Sequence, residues 1–431
     1  MNAYTPRLLT EAETSLIAAY DAISGIEPRG PDSSKARSAA LAGLKKTGLP
    51  TRRVEAFHYT DLRSLLTGKL VPTDRPSANE ANEWAADYNR LVSAIRLPVM
   101  NGHYFSDLGD DLPEGIMVLP GAPAPQAGID HDDPAHAVDT ISTLFANDGM
   151  TIEIDTDVTI ETPVGIANQY RGEAAAIAAS RNRVEMMKGS TATFIDRSVG
   201  PDGLGYLTNQ VTDLVVGEGA DVTWVIANTE GDMAQRLAKL SVRLEKDARL
   251  TLFVLNAGGK LVRQELDFVV AGENAELNIS GANLIGGKAH IDVTSAILHE
   301  VPRTVATETF RNVATGHGSG VFQGQIRVAQ AAQLTDARMA CNTLLLSDDC
   351  DFSAKPELEI FADDVQCAHG ATVSDLEDSY LFYLRARGIS ETRARQMLVR
   401  AFVAEVIEEL ENEELVEAIE RHMDVWMDRH V

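Results

Sequence analysis

The sequence predicts a mainly β protein in which a parallel β-helix lies between helical regions at the two ends. From about residue 151 to 361, apolar and polar residues alternate in segments interrupted by Gly, Asp and Asn, which is typical of strands. Toward both ends of the chain, apolar residues recur at helical spacing instead. We therefore expect an N-terminal helical region over 1–90, a β-helix core over 91–366 and a C-terminal helical domain over 367–431.

The N-terminal region opens with helix signals. Thr10 and Glu13 form a capping box ahead of apolar residues at helical spacing. A second helix is predicted over 36–46, because Gly48 would end it and Pro50 would prevent its continuation. The following segment, 91–150, is rich in Pro, Gly and Asp and predicts turns and short strands.

A repeated unit of a turn and a strand marks the core. Four segments align on one small turn residue each, and these residues are 30, 28 and 27 positions apart: Ser190, Ala220, Ala248 and Ala275. Near-constant spacing is typical of a solenoid, in which each coil buries its apolar face against the next. Evenly spaced hairpins of a β-sandwich are the alternative. The absence of Asn-Gly hairpin turns from this region favours the parallel β-helix.

The C-terminal part returns to helical spacing. One helix is predicted to begin at Ser390, and Asn412 is predicted to cap another. The expected apolar stripes are Met397, Leu398, Ala401, Phe402, Val406 and Leu410, then Leu415, Ile419, Met423 and Trp426. Residues 405–431 carry ten carboxylates against two arginines, which we interpret as a solvated face. The stripes must be buried against the chain's own core or against a partner helix.

Charge and composition exclude several classes of protein. The net charge of −26 argues against nucleic acid and anionic membranes as partners, because phosphate-rich surfaces attract basic proteins. No apolar run approaches the ~20 residues of a membrane-spanning helix, and the N-terminus lacks the basic start and apolar core of a secretion signal. Three cysteines do not make a disulfide framework in a chain of 431 residues. These features predict a reduced, cytoplasmic protein.

Catalytic motifs are missing from the sequence. None of the Gly-Lys pairs, at 68–69, 259–260 and 287–288, is followed by the Ser or Thr of a Walker motif. The segment 316–320 resembles a nucleophile elbow but has His317 where that motif needs Gly. We therefore predict no enzyme activity. A stand-alone β-helix enzyme acting on carbohydrate and a self-assembling structural β-helix are the alternatives.

Cys367 and His369 are the candidate metal ligands. Residues two apart on a strand point to the same face, so a thiolate and an imidazole would be offered together to a metal. Two ligands are fewer than zinc and iron–sulfur centres take, so the others must come from elsewhere in the chain or from another subunit. A purely structural role is the alternative. Cys341 and Cys350 are expected to be buried thiols.

The stretch from Lys355 to Gly388 resembles the signature of the SufB/SufD family of iron–sulfur cluster assembly proteins. It reads KPELEIFADDVQCAHGATVSDLEDSYLFYLRARG. The segments 48–63 and 321–328 resemble two further motifs of the family. SufB-type chains have Glu-His-Glu-Ala-Thr around the histidine, whereas this chain has Cys-Ala-His-Gly-Ala-Thr, so the resemblance is to the SufD side. A SufB-like paralogue that acts as the main cluster scaffold is the alternative.

The resemblance implies a right-handed parallel β-helix in a non-enzymatic scaffold subunit. Such a subunit pairs with a SufB-like chain through the β-helix and with a SufC-like ATPase through the C-terminal helices. His369 stands at the position of an interface histidine, which implies a ligand of a transient iron–sulfur cluster at the SufB interface, and Cys367 is a lesser candidate. No permanently bound cofactor is implied. Reduced flavin is associated with the assembled family complex, although the sequence has no flavin motif. For the isolated chain, a monomer and a homodimer through the surface meant for SufB are the alternatives.

Overall fold

The computed structural model describes residues 8–23, 33–88, 90–126 and 128–431. The protein is mainly β, with 41% strand against 25% helix, and its core is a β-solenoid of about eight turns. The predicted fold class is thereby confirmed. The first seven residues, on which the expected lack of a secretion signal partly rests, lie outside the described residues.

Twenty strands are present in the described residues, and nearly all of them belong to the solenoid. In chain order they are β1 Val71–Pro72, β2 Ile95–Met100, β3 His103–Tyr104, β4 Ile116–Pro120, β5 Asp148–Ile154, β6 Thr159–Gln169, β7 Ala176–Met186, β8 Thr191–Val199, β9 Leu207–Val216, β10 Asp221–Thr229, β11 Gln235–Leu244, β12 Arg249–Asn256, β13 Leu261–Val270, β14 Glu276–Ile285, β15 His290–His299, β16 Val305–Ala314, β17 Ser319–Val328, β18 Asp336–Leu345, β19 Asp351–Ile360 and β20 Gln366–Asp375.

The strands form two sheets that the chain visits alternately. Sheet A has the order β19-β17-β15-β13-β11-β9-β7-β5-β4, with β1 beside β7, and sheet B has the order β20-β18-β16-β14-β12-β10-β8-β6-β2-β3. Pairing is parallel in the described strands except at β2–β3 and β4–β5. Asp221 pairs with both Thr191 and Arg249, so the spacing of the sequence repeat equals one coil. Parallel pairing between alternate strands excludes the β-sandwich.

Three apolar layers hold the molecule together. One lies between the two sheets and contains large side chains such as Phe194, Trp224 and Phe268. A second lies between the outer face of sheet A and the N-terminal helices. A third lies between the outer face of sheet B and the C-terminal helices. Both faces of each sheet are therefore covered over much of the solenoid, as is usual for parallel sheets.

The N-terminal helices are α1 Glu11–Ile23, α2 Ser33–Thr47, α3 Leu62–Leu65, α4 Ala78–Asp87 and α5 Ala137–Phe145. The capping box is present, because Thr10 N donates to Glu13 Oε2 at 2.8 Å and Glu13 N donates to Thr10 Oγ1 at 3.2 Å. Gly48 follows α2 with a φ of +68°, which is the left-handed conformation that glycine favours at the end of a helix. The helix α5 was not predicted, since the segment 91–150 was expected to hold only turns and short strands.

A buried ionic cluster fixes the segment before α3 to sheet A. Arg263 is fully buried, donates to Asp292 Oδ2 at 2.6 Å and stacks its guanidinium 4.4 Å from the ring centre of Phe57. Thr60 donates to Asp292 and lies 2.9 Å from His290 Nε2. Burial lowers the pKa of His290, which favours the neutral ring. Arg263 also donates to Glu265 Oε1 at 3.2 Å, so two carboxylates face its guanidinium.

The C-terminal helices are α6 Asp378–Ala386, α7 Glu391–Ile407 and α8 Glu413–His430. Asn412 caps α8 as predicted, by accepting from Leu415 N at 3.1 Å. The predicted stripe of α8 is buried, whereas that of α7 is only partly right, since Val406 and Leu410 are buried and Ala401 is exposed. Met397 is exposed, and Val399, Val403 and Ile407 are buried against sheet B instead.

The boundary expected between 366 and 367 falls inside β20, which pairs along its whole length with β18. Residues 367–375 therefore belong to the solenoid, and the first C-terminal helix begins at Asp378. In the part of the chain that the structure describes, no helix is both long enough and apolar enough to cross a bilayer.

Candidate functional site

The solenoid ends in an open coil made of β19 and β20. Each of these strands is the last in its sheet and pairs on one side only, with β17 and β18 respectively. The other edge of each strand presents backbone N–H and C=O groups to which no described strand is bonded. Such an edge is a template for pairing with another chain. We call this last coil the terminal coil.

Cys367 and His369 lie on β20 and share one face of the strand, as predicted. They pair with Ala337 and Met339, whose side chains are buried in the core between the sheets. Since no coil follows, the interior-facing side chains of β20 are only partly covered. Cys367 is half-buried and His369 is exposed. The imidazole is thus presented at the mouth of the solenoid, where a second molecule would meet it.

The thiol of Cys367 is held in its neutral form. Burial raises its pKa, and the nearby charge of Asp336 acts in the same direction. A hydrogen bond at the backbone of Ala337 acts against the rise. Because a thiolate is the form that binds metals, Cys367 becomes a ligand only when a cation arrives to stabilise it.

The other two cysteines do not complete a metal site. Cys341 is buried, its sulfur accepts from Asn312 Nδ2 at 3.3 Å, and burial raises its pKa to about 12. The thiol of Cys350 donates to Ser347 O at 3.0 Å in a turn. Across the described ranges of the chain, no group of three or more His, Cys, Asp and Glu is arranged to hold a metal ion.

A column of interior side chains runs along sheet B and ends at His369. Its members pair in register from coil to coil: Val164, Phe194, Trp224, Leu252, Ile279, Glu308, Met339 and His369. We call it the inner column. It is apolar until Glu308, which is fully buried.

Glu308 has no hydrogen-bond partner for either carboxylate oxygen among the described residues. Ser295 Oγ, which has no hydrogen-bond partner among the described residues either, lies near enough for its hydroxyl to oppose a rise in the pKa of Glu308. Burial raises the pKa of Glu308 to about 7. Packing alone does not explain why a carboxyl group without hydrogen-bond partners lies in the apolar inner column.

A ladder of polar side chains runs beside the inner column. Asn256 Nδ2 donates to Asn283 Oδ1 at 2.9 Å, and Asn283 Nδ2 donates to Asn312 Oδ1 at 2.8 Å. Asn312 Nδ2 in turn donates to Thr343 Oγ1 at 3.2 Å. The next position of the ladder is Val373, which is 44% exposed. The ladder ties successive coils together and stops one coil short of the end.

Exposed apolar side chains surround the terminal coil and occupy α6. Ile360 and Phe361, at the end of β19, are exposed together with Val373. On α6 the exposed side chains are Tyr380, Phe382 and Tyr383, and Phe382 is 75% exposed. Contiguous exposed apolar side chains of this kind mark interaction surfaces.

Comparison with known proteins assigns the chain that carries this site to a family. The model of the family described as "SUF system FeS cluster assembly, SufBD core domain" matches residues 166–402, which is more than half of the chain. This chain belongs to the SufBD family. The resemblance of its motifs to that family is thereby confirmed, and the family's role in iron–sulfur cluster assembly applies to it.

Individual relatives of this SufBD protein are similar over most of their length. The iron–sulfur cluster assembly protein SufD of Escherichia coli is 28% identical over 397 residues, which cover 91% of this chain and 93% of the relative. The chloroplast protein ABCI7 of Arabidopsis thaliana is 27% identical, with 90% and 84% covered. A SufBD family protein of Synechocystis is also 27% identical, with 87% and 86% covered.

The sequence of this SufBD chain points to His369 as a candidate ligand and does not single out Glu308. A signal for Glu308 was present, because the strand positions aligned in the repeat are Phe194, Trp224, Leu252 and Ile279. Extending that alignment by one more coil reaches Glu308, an acid where every earlier member is large and apolar. The four aligned segments end one coil before Glu308, so the pattern does not distinguish it from the other carboxylates of the chain.

Proposed function

We propose that this chain is a SufD-type, non-enzymatic scaffold subunit of an iron–sulfur cluster assembly complex in the cytoplasm. The observation that carries the proposal is the terminal coil, which offers unpaired strand edges together with the exposed imidazole of His369. The family match and the similarity to SufD of E. coli support the assignment. The cluster is the cargo of such a subunit rather than its resident cofactor, and any reduced flavin would belong to the assembled complex.

The partner proposed for the terminal coil is a SufB-like subunit. The free edges of β19 and β20 would extend both sheets into it, and main-chain hydrogen bonds would supply affinity. Ile360, Phe361 and Val373 would be buried in the same contact. His369 would then reach a cluster whose remaining ligands come from SufB, with Cys367 as a lesser contributor. The same surface accounts for a homodimer when the partner is absent.

The partner proposed for the C-terminal helices is a SufC-like ATPase. The apolar sides of α7 and α8 are occupied by sheet B, since Val399, Val403 and Met423 pack there. The aromatic side chains of α6 are not, so α6 is the best-supported docking element. The ATPase would supply the nucleotide site that the Gly-Lys pairs of this chain do not form.

Co-expression with SufB-like and SufC-like chains tests the assembly. We expect a stable complex that contains this chain, SufB and SufC, and the mass of the complex gives its stoichiometry. A monomer or homodimer as the sole species under these conditions would contradict the proposal.

Substitution at His369 tests the ligand role within that complex. His369→Ala should leave the fold intact, because an exposed side chain contributes little to stability. It should slow cluster formation, measured by the rise of iron–sulfur absorbance. His317→Ala is the matched control, since the His317 side chain is 63% exposed on a solenoid turn. Equal rates for the two variants would remove His369 from the ligand set.

Substitution on α6 tests the ATPase contact better than truncation does. Removing α7 and α8 would expose the apolar outer face of sheet B, including Phe253 and Val225, and would cause aggregation. Phe382→Ser removes only an exposed ring and should weaken SufC capture without changing thermal stability. Met117→Ser, at an exposed apolar position on β4, is the control. Unchanged capture by Phe382→Ser would contradict docking on α6.

A further inference from the structure

A groove between α8 and one corner of the solenoid has no part in the function proposed above. Its volume is about 770 Å³, which lies within the ~300–1,000 Å³ typical of small-molecule sites. The floor consists of the turns that lead from sheet B to sheet A in four successive coils, beginning with the turn that contains Gly200. The wall is formed by α8 through His422, Val425, Trp426, Arg429 and His430.

Two Gly-Gly-Lys turns form the centre of this floor. They are residues 258–260 and 286–288, on successive coils, and they contain two of the Gly-Lys pairs that the sequence shows without a Walker motif. A Cβ at Gly286 would lie 2.7 Å from the ring of His430, so glycine there allows α8 to approach the turn. Gly287 has a φ of +61°, and a Cβ at that position would meet nothing within 4 Å. The glycines thus leave the floor of the groove open.

The basic side chains of the groove are available for an anion. Lys260 and Lys288 form no ion pair among the described residues, and Arg429 is paired only with the exposed Asp202, at 3.5 Å. Asp232 accepts from Gly203 N at 2.7 Å, and burial raises the pKa of Glu230 and so favours its neutral form. Four basic side chains line the groove against the carboxylates of Asp202 and Asp232, so it carries an excess of positive charge in a chain whose net charge is −26: Arg197, Lys260, Lys288 and Arg429.

An apolar surface lies beside these cations. Met233 is 39% exposed and Val425 is 53% exposed, on opposite sides of the groove, and Leu284 and Trp426 also line it. The carboxyl end of α8 brings negative partial charge to the wall. An anionic group would therefore bind on the side of the turns, and an uncharged part of the same ligand would lie against the helix.

We propose that this groove binds a phosphate monoester that carries an apolar ring. The phosphate is held by Lys260 and Lys288, which act as point charges on a dianion. The ring packs between Met233 and Val425. This site is independent of the terminal coil, so its failure would leave the scaffold function unaffected.

Calorimetric titration of the purified chain with phenyl phosphate tests the proposal. We expect saturable binding of one molecule per chain. Replacing both lysines (Lys260→Ala with Lys288→Ala) should weaken it by at least about tenfold, or ~1.4 kcal/mol. The control is the pair Lys188→Ala and Lys246→Ala, which removes the same charge from exposed turns at another corner of the solenoid. No binding, or equal weakening in both double variants, would overturn the proposal.

Two further measurements separate the parts of the site. Inorganic phosphate should bind more weakly than phenyl phosphate, and equal affinity would overturn the role of the apolar surface. Binding should also change the fluorescence of Trp426, one of three tryptophans in the chain. Trp426→Phe should abolish that change while the calorimetric signal persists. An unaltered fluorescence change in that variant would place the ligand elsewhere.

Discussion

Glu308→Gln should stabilise the protein at alkaline pH and much less at acidic pH. Glu308 has an ordinary pKa of 4.5 in the unfolded chain and a pKa of about 7 in the folded one, because burial without partners disfavours its charge. Glutamine has nearly the same shape and cannot ionise. The substitution therefore removes the charge and keeps the packing against Met339 and Ile279.

The sign and size of the effect follow from proton linkage. Between pH 4.5 and 7 the unfolded chain has lost the proton of this group and the folded chain keeps it, so rising pH favours unfolding. The free energy of unfolding falls by about 1.4 kcal/mol per pH unit in this window, and by about 3 kcal/mol in total. Below pH 4.5 the loss is absent, and above pH 7 it is complete. The advantage of Glu308→Gln should accordingly shrink by about 2 kcal/mol between pH 8 and pH 5.5.

Urea denaturation at a series of pH values, followed by tryptophan fluorescence, measures this difference. Trp224 lies two coils from Ile279 in the same inner column and reports on the core between the sheets. Glu276→Gln is the control, since that side chain is 46% exposed on the neighbouring outer face and should not alter the pH dependence. Parallel pH profiles for the wild-type chain and Glu308→Gln would refute the argument, because they would show that Glu308 is already charged or already paired in the folded protein.

Two other substitutions probe the buried polar groups. Asp292→Ala removes one of the two carboxylates paired with the fully buried Arg263 and leaves Glu265 as its partner, so it should lower the free energy of unfolding by about 1.5–3 kcal/mol. Glu273→Ala removes the exposed pair with Arg303 and should cost less than about 1 kcal/mol. Urea denaturation of both variants makes the comparison, and equal losses would contradict the role given to the buried pair. Asn283→Ala breaks two hydrogen bonds of the ladder and should lower the free energy of unfolding by about 1–3 kcal/mol in the same assay. The control is Asn278→Ala, at an exposed position on the same strand, which should leave this free energy nearly unchanged. Equal effects of the two substitutions would mean that the ladder bonds contribute no net stability.

The coil repeat could be predicted because its cause is local. Ser190, Ala220, Ala248 and Ala275 are fully buried at the turns. The backbone N–H that follows each of the last three donates to the carbonyl of the repeat residue one coil earlier. A larger side chain at these positions would separate the coils. Small residues therefore recur in the sequence at intervals equal to the length of one coil. The parallel register then follows from the same spacing.

The helix α5 could not be predicted from periodicity because it has no exposed face. Every one of its nine residues is buried, between α2 and the outer face of sheet A. It is also rich in β-branched residues, including Val138, Thr140 and Ile141, which favour strands. The apolar stripe predicted for α7 is only partly right, because several apolar residues of that helix compete for sheet B and Val399, Val403 and Ile407 pack there.

The sequence predicts the two residues of the candidate site but not their exposure. A pattern of two residues on one strand placed Cys367 and His369 on the same face, which the structure shows. Whether that face is covered depends on whether another coil follows, and no local pattern records this. The exposure of His369 is therefore a property of where the solenoid stops, and the ligand role assigned to it stays a prediction.

The helical layers cover the solenoid unevenly along its axis. On sheet B the apolar contacts of α7 and α8 reach from Ile195 on β8 to Val313 on β16, and on sheet A the N-terminal layer makes apolar contacts from β7 to β13. These helical layers stabilise the coils beneath them, because no covered coil can unfold unless the helix packed on it first dissociates. Within the described residues, the N-terminal segment reaches the last two coils only through polar contacts, which join Gln323 to Ala56 and Lys355 to Glu55. These coils are otherwise held mainly by the coil before them, as in a one-dimensional chain of units. Fraying should therefore begin at the end that carries His369, and a partner that adds a coil there would stiffen that end.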